Sequence, residues 1–176
     1  MRITAGQLKG RLFDDPPSAR AHPMSDRIKN ALFNSLGDIK GLHFLDGFGG
    51  TGALSFEAIS RGASHVTVCE LDNGVAKSLQ GNIAKLGLES RIQLIEKSVY
   101  SYINQQPKPF DVIIADPPYM EFSKQKFERL TKVLKPDGLL VLSYPSAADI
   151  PWIAGLELVK QTQYGNAALA FYRHVS

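Results

Sequence analysis

The chain has 176 residues, 44% of them hydrophobic, with 20 Lys/Arg set against 17 Asp/Glu. That length suits one α/β domain with a substantial core, and that apolar content excludes a chain disordered throughout. No apolar run approaches the roughly 20 residues of a membrane span, no signal-peptide apolar region opens the chain, and Cys69, alone, excludes an internal disulfide or a zinc site, so a soluble cytoplasmic protein is expected.

Residues 3–13, with Gly6 and Gly10, predict a short β-hairpin. Lys9 and Arg11 alternate around Gly10, so on an extended strand both basic side chains share one face. Residues 14–23 are polar and rich in Pro, Ala and Ser, the composition of a loop. Ser25 can cap a helix on which Ile28, Ala31, Leu32 and Leu36 recur at helical spacing, closed by Gly37. From there strand and helix alternate: strand 42–45, helix 51–61, strand 66–69, helix 73–86, strand 91–95, short helix 99–104, strand 110–115, helix 122–134 and strand 138–143. Segments 156–161 and 167–172 flank a turn containing Gly165-Asn166 and predict strands paired by reversal. The whole predicts an α/β fold with a mostly parallel seven-stranded sheet, helices on both faces, and an antiparallel strand at its end. Residues 1–23 are expected to form a hairpin-and-loop appendage, and 24–176 the main domain.

Charge is unevenly placed. Residues 1–40 carry seven Lys/Arg (Arg2, Lys9, Arg11, Arg20, Arg27, Lys29, Lys40) against four Asp, an excess equal to the +3 of the whole chain. A basic appendage on a neutral body is the electrostatic footprint of a polyanion-binding protein. Lys9, Arg11, Arg20 and Arg27 are therefore candidate polyanion contacts, and RNA contacts on the family resemblance given below. Lys124, Lys126, Arg129, Lys132 and Lys135 offer a second basic run, read first as a solvated helix face.

Two loops carry the chemistry. After the first strand comes Asp46-Gly47-Phe48-Gly49-Gly50-Thr51-Gly52. Its Gly47-x-Gly49-x-x-Gly52 spacing lets a ligand approach a helix N-terminus and fits a dinucleotide fingerprint. Glu70, followed by Leu71, closes the second strand where a ribose-binding carboxylate belongs. Asp46, however, would repel a pyrophosphate, whereas the methionine ammonium of S-adenosyl-L-methionine (AdoMet) favours an acid nearby. AdoMet is the expected cofactor, held by Asp46, Gly47, Phe48, Gly49, Gly52, Glu70 and Leu71, with Ser98 and Val99 as adenine contacts. The second loop, Asp116-Pro117-Pro118-Tyr119, follows the apolar strand 110–115. Two prolines force the chain out of the sheet and present a carboxylate, a carbonyl and an aromatic ring. An exocyclic base amine needs this set: acceptors for its two N–H bonds and a plane to stack on.

With these motifs in place, the chain resembles the bacterial RsmD-type methyltransferases, which act on the N2 amine of a guanine in small-subunit (16S) ribosomal RNA. The likeness runs from Arg2-Ile3, Gly6 and Lys9-Gly10-Arg11 through Asp26-Arg27, Ala31-Leu32-Phe33-Asn34, Leu45-Asp46, Thr51-Gly52-Ala53-Leu54, Glu57-Ala58 and Ser60-Arg61 to Asp116-Pro117-Pro118-Tyr119. The resemblance implies a Rossmann-like class I AdoMet-dependent methyltransferase fold, Asp116, Pro117, Pro118 and Tyr119 as catalytic residues, and ribosomal RNA or the assembling small subunit as partner. The four histidines are too scattered to suggest a metal site, so no metal is expected, and the protein is expected to be a monomer. Where the family commonly has Arg-Pro-Thr, this chain reads His22-Pro23-Met24, and His22 is carried as an RNA contact. Asp-Pro-Pro-Tyr is shared with DNA N6-adenine methyltransferases, so that activity stays open, as does a non-catalytic RNA-binding assembly factor.

Overall fold

Alternation of apolar side chains along each strand sends successive residues to opposite faces of one sheet. In the computed structural model, which describes residues 1–16, 23–118, 120 and 123–174, that sheet has seven strands. They are β1 His43–Asp46, β2 His65–Cys69, β3 Ile92–Ile95, β4 Phe110–Ala115, β5 Leu134–Pro145, β6 Leu156–Tyr164 and β7 Ala167–His174, in the order β3-β2-β1-β4-β5-β7-β6. Pairing is parallel from β3 through β5, and β7 runs antiparallel to both β5 and β6. The expected mostly parallel sheet with a reversal is thus observed, and the reversed strand lies inside β6.

Helices α1 (Asp26–Leu36), α2 (Ala53–Ser60) and α3 (Asn73–Leu86) cover one face, where Leu32, Phe56 and Leu79 meet Phe44, Val112 and Ile114. Helices α4 (Val99–Ile103) and α5 (Lys124–Leu130) cover the other, where Val99, Ile103 and Phe127 meet Leu45, Ile113 and Leu142. Among the described residues no helix is long and apolar enough to cross a membrane.

Two expected elements differ. The helix predicted over 122–134 ends at Leu130, passes through a 3₁₀ turn, Thr131–Val133, and yields to β5 at Leu134. Pro136 is the physical reason: it lacks the N–H a helix needs and drives the preceding residue towards extended backbone. The N-terminal hairpin is reduced to one bridge, Arg2 with Leu12, supported by Ile3 N–H to the Arg11 carbonyl (3.0 Å) and Gly10 N–H to the Ile3 carbonyl (2.8 Å). Between those arms the backbone bonds elsewhere. Gln7 N–H donates to the Ser60 carbonyl (2.7 Å) and Leu8 N–H to Ser60 Oγ (2.9 Å), at the C-terminus of α2. Gly6 approaches so closely that an added Cβ would lie 2.0 Å from the Ser60 carbonyl oxygen.

Residues 1–16, read as an appendage, therefore share the main core, with Ile3 and Phe13 both buried in it. Glu57 ties them down. Its wholly buried carboxylate accepts from Thr4 N–H (2.9 Å), Thr4 Oγ1 (2.9 Å), Ala5 N–H (3.0 Å) and Arg61 Nε (2.9 Å), with Lys29 Nζ 3.7 Å away.

Candidate active site

In an open sheet, ligands bind outside the carboxyl ends of the strands where the strand order reverses. Here that point lies between β1 and β4, and an open cleft of about 910 Å³ occupies it. Gly47, Phe48, Gly49, Glu70, Leu71, Ser98, Val99, Asp116, Pro117 and Pro118 all line it. The two predicted loops are therefore brought face to face.

The glycine loop is held by backbone bonds from Gly47 N–H to the Ile114 carbonyl (2.9 Å) and Gly49 N–H to the Cys69 carbonyl (2.8 Å). At Gly49 an added Cβ would lie 2.7 Å from Val68 Cγ2, and at Gly52, with φ +81°, 2.5 Å from Leu79 Cδ1. Side chains are excluded at both positions by packing as well as, at Gly52, by the left-handed backbone. Glu70 accepts from Gly50 N–H and from Asp72 N–H, both at 2.8 Å. Each carboxylate oxygen keeps a further lone pair towards the cleft. Ser98 caps α4, accepting Ser101 N–H at 3.2 Å. Beside it, Phe48 and Tyr100 meet edge to face at 6.2 Å.

Asp46 and Gly52, both expected to hold the cofactor, are not among the residues that line the cleft. Asp46 lies buried behind the loop. It accepts the Ser55 hydroxyl at 2.7 Å and Phe48 N–H at 3.4 Å, and organises the loop from beneath. Burial first, then the charges of Asp116 and Glu70, push its pKa from 3.8 up to about 6, against the two hydrogen bonds. The folded protein holds this proton more tightly than the unfolded chain, so stability from Asp46 is present at low pH. It is lost as pH rises from about 4 to 6. The two pKa values differ by about two, which corresponds to up to about 3 kcal/mol. Asp46→Asn should therefore raise the Tm of the ligand-free protein at pH 8, with the gain vanishing below pH 4; thermal scans across that range would refute this by showing no gain at pH 8.

At the end of β4, Asp116 is half-buried, and burial raises its pKa while a hydrogen bond from the Ser143 hydroxyl opposes the rise. Pro117 is buried and Pro118 exposed beside it; Tyr119, like Arg20 and His22, lies outside the described residues. Sequence reasoning missed Ser143, Asn166, Ala167, Met24, Ser25 and Ile28, which complete this half of the cleft. A signal existed for two of them: Ser143 is the polar residue closing an apolar strand, and Asn166 sits in the reversal turn.

The basic residues part company. Arg27 is exposed on the first turn of α1, next to cleft-lining Ser25 and Ile28. Lys9 sits in a turn, and Arg11 donates from Nη1 to the Leu86 carbonyl at 3.0 Å, capping α3. Helices between parallel strands run back along the sheet, so the C-termini of α2 and α3 lie at the end remote from the cleft. The shared strand face expected for Lys9 and Arg11 is not formed. Lys97 and Lys126 line the cleft instead.

A parallel sheet closed by a reversed strand, a glycine loop after β1, an acid closing β2 and an Asp-Pro-Pro segment closing β4 define the fold of the AdoMet-dependent methyltransferases. Within that class, the chain belongs to the family described as Conserved hypothetical protein 95, which matches residues 1–173. It is 34% identical over 181 residues, 99% of this chain and 94% of the relative, to the Ribosomal RNA small subunit methyltransferase D of Haemophilus influenzae. A solved protein of Escherichia coli named as a methyltransferase superposes with a TM-score of 0.89 at 28% identity, covering 99% of this chain and 97% of that one. A methyltransferase solved as its complex with SAH shares the fold at 19% identity and a TM-score of 0.69, over 84% of this chain and 48% of that one. The family and cofactor class expected from the motifs agree with these relatives.

Proposed function

We propose that this protein transfers the methyl group of AdoMet to the N2 amine of a guanine in small-subunit ribosomal RNA. The observation that carries the reading is Asp116, set beside Pro117 and Pro118 in the same cleft as the glycine loop. The relatives named for small-subunit RNA methylation support the substrate.

The chain fits the cofactor by its own geometry: a loop wall that admits no side chain at Gly49, and a Glu70 carboxylate facing the cleft with lone pairs for ribose hydroxyls. When bound, AdoMet supplies an electrophilic methyl on a sulfonium. The amine must supply the lone pair, which in guanine is delocalised into the ring. Asp116 and the Pro117 carbonyl would accept its two N–H bonds, turn the lone pair towards the methyl, and stabilise the charge that develops on nitrogen. A carboxylate whose pKa is raised also accepts the departing proton more readily. In-line positioning supplies the rest of the acceleration.

The Asp116 carboxylate must be ionised, so activity should rise with pH through its pKa. The hydroxyl of Ser143 steadies that ionised form. Ser143→Ala should move the acid limb of the kcat/KM profile to higher pH, and an unmoved limb would remove Ser143 from this role. The substrate assignment is tested by incubating the protein with labelled AdoMet and small-subunit RNA, free or in subunits, and digesting to nucleosides. N2-methylguanosine is expected; N6-methyladenosine would replace the reading. Calorimetry should show heat with AdoMet and none with NAD.

Arg27 fits this reading as an RNA contact at the cleft's edge. Lys9 and Arg11 would touch RNA only where a large substrate, such as an assembling subunit, reaches round the domain.

A further inference from the structure

Two lysines, the half-buried ring of Tyr100 and the exposed ring of Trp152 form a ridge across the first turn of α5. At its inner end Lys126 lines the cleft, its Nζ 5.7 Å from the centroid of the Tyr100 ring. At its outer end Lys124 Nζ lies 4.9 Å over the ring of Trp152. The two lysines are two residues apart on a helix, so they leave on opposite flanks and join the two rings across it. Glu128 approaches Lys124 only to 3.9 Å, which leaves the ammonium open to a second anion.

Trp152 is 68% exposed, although its loop is anchored on both sides. The Pro151 carbonyl accepts the Tyr172 hydroxyl at 2.7 Å, and Ile153 is buried. A large ring held outward between two fixed neighbours presents a flat face at a defined place.

We propose that this ridge docks a single-stranded stretch of the RNA flanking the target nucleotide, with lysines on phosphates and Trp152 stacked on an unpaired base. The proposal rests on RNA being the substrate. A single strand offers both charge and free base faces, which matches cations interleaved with rings; a duplex hides its base faces. The ridge is also continuous with the cleft through Lys126. Lys124 and Lys126, the first two members of the basic run, are thus assigned a docking role in place of the solvated face read first from the sequence.

Trp152 is the single tryptophan of the chain, so intrinsic emission reports on this position alone. Titration with a single-stranded RNA oligonucleotide should quench it saturably, while heparin, which has charge but no bases, should bind without quenching. Trp152→Ala should weaken RNA binding roughly tenfold, the worth of one base–aromatic stack, and Trp152→Phe should recover part of it. Lys124→Gln should flatten the slope of affinity against log salt by about one contact. Calorimetry with S-adenosylhomocysteine should be unchanged in Trp152→Ala. Unchanged emission on RNA binding, quenching by heparin equal to that by RNA, or no RNA binding at all would each overturn the ridge. An emission change only with ribosomal proteins would replace it with a protein partner. Methyl transfer is scored separately. RNA quenching in a protein inactive on ribosomal RNA sinks the substrate and keeps the ridge, while an active enzyme indifferent to Trp152→Ala sinks only the ridge.

Discussion

Asp116→Ala should reduce methyl transfer by about 10²–10³-fold, the usual effect of removing one transition-state hydrogen-bond partner. On the proposed reading its carboxylate addresses the acceptor amine, while the glycine loop and Glu70 hold the cofactor, so AdoMet affinity should stay within about twofold. The loss should therefore fall on kcat, because the interaction strengthens only as charge develops on the amine. Asp116→Asn is the sharper variant. It keeps one carbonyl acceptor at nearly the same volume but replaces the other oxygen with an N–H₂ donor, which repels an amine N–H. Single-turnover methylation with saturating AdoMet, alongside calorimetry of the same variants, separates chemistry from binding. Activity above about a tenth of wild type in Asp116→Ala would remove the carboxylate from the transition state.

The largest stability change should come from Glu57→Ala. The wild-type carboxylate is wholly buried and serves Thr4, Ala5 and Arg61 at once, with the buried Lys29 ammonium 3.7 Å away. Removing it leaves the backbone N–H groups of Thr4 and Ala5 without their partner and the buried Lys29 ammonium with Asp26 Oδ1 (3.0 Å) as its remaining carboxylate. Breaking a buried ion pair from one side costs about 3–5 kcal/mol, which in a domain of this size lowers Tm by roughly 10 °C. Glu57→Gln keeps one carbonyl acceptor and should fall between. Denaturant titration measures the change directly, and a loss below about 1 kcal/mol would show that the cluster is satisfied by solvent instead. Arg11→Ala should also lower Tm, because it uncaps α3, whereas Lys9→Ala should leave stability unchanged and so reads docking alone.

Local order was legible wherever a single segment carried its own signal. Helix α3 has the predicted limits because its apolar spacing stops at Gly87, and in the structure Asp72 caps its start by accepting Gly74 and Val75 N–H; β4 has them because an apolar run meets two prolines. The glycine loop, Glu70 and Asp116 were legible for a related reason: each is a short motif at the end of its own strand. What could not be read depends on partners far along the chain. The arms of the N-terminal segment look like a hairpin, but its middle bonds to α2 and α3, more than 50 residues away. Ser143 and Asn166 reach the cleft only because β5 pairs with β4 and with β7. Asp46 was legible as an acid opening the loop, but its bond from Ser55, nine residues on, was not.

The placement of β7 has a consequence for biogenesis. The strand is hydrogen-bonded on one side to β5 and on the other to β6, and among the described residues the edge strand β6 pairs with β7 alone. During synthesis β6 emerges first and has no partner until residues 167–174 follow. The nascent chain must hold β6 as an unpaired strand, and the sheet closes in one late event that docks two strands together. Such non-local pairing is slow and exposes strand edges to association while it waits. Premature termination anywhere in β7 would release a product lacking two strands rather than one, with β5 left as a bare edge, a form suited to rapid aggregation or proteolytic clearance.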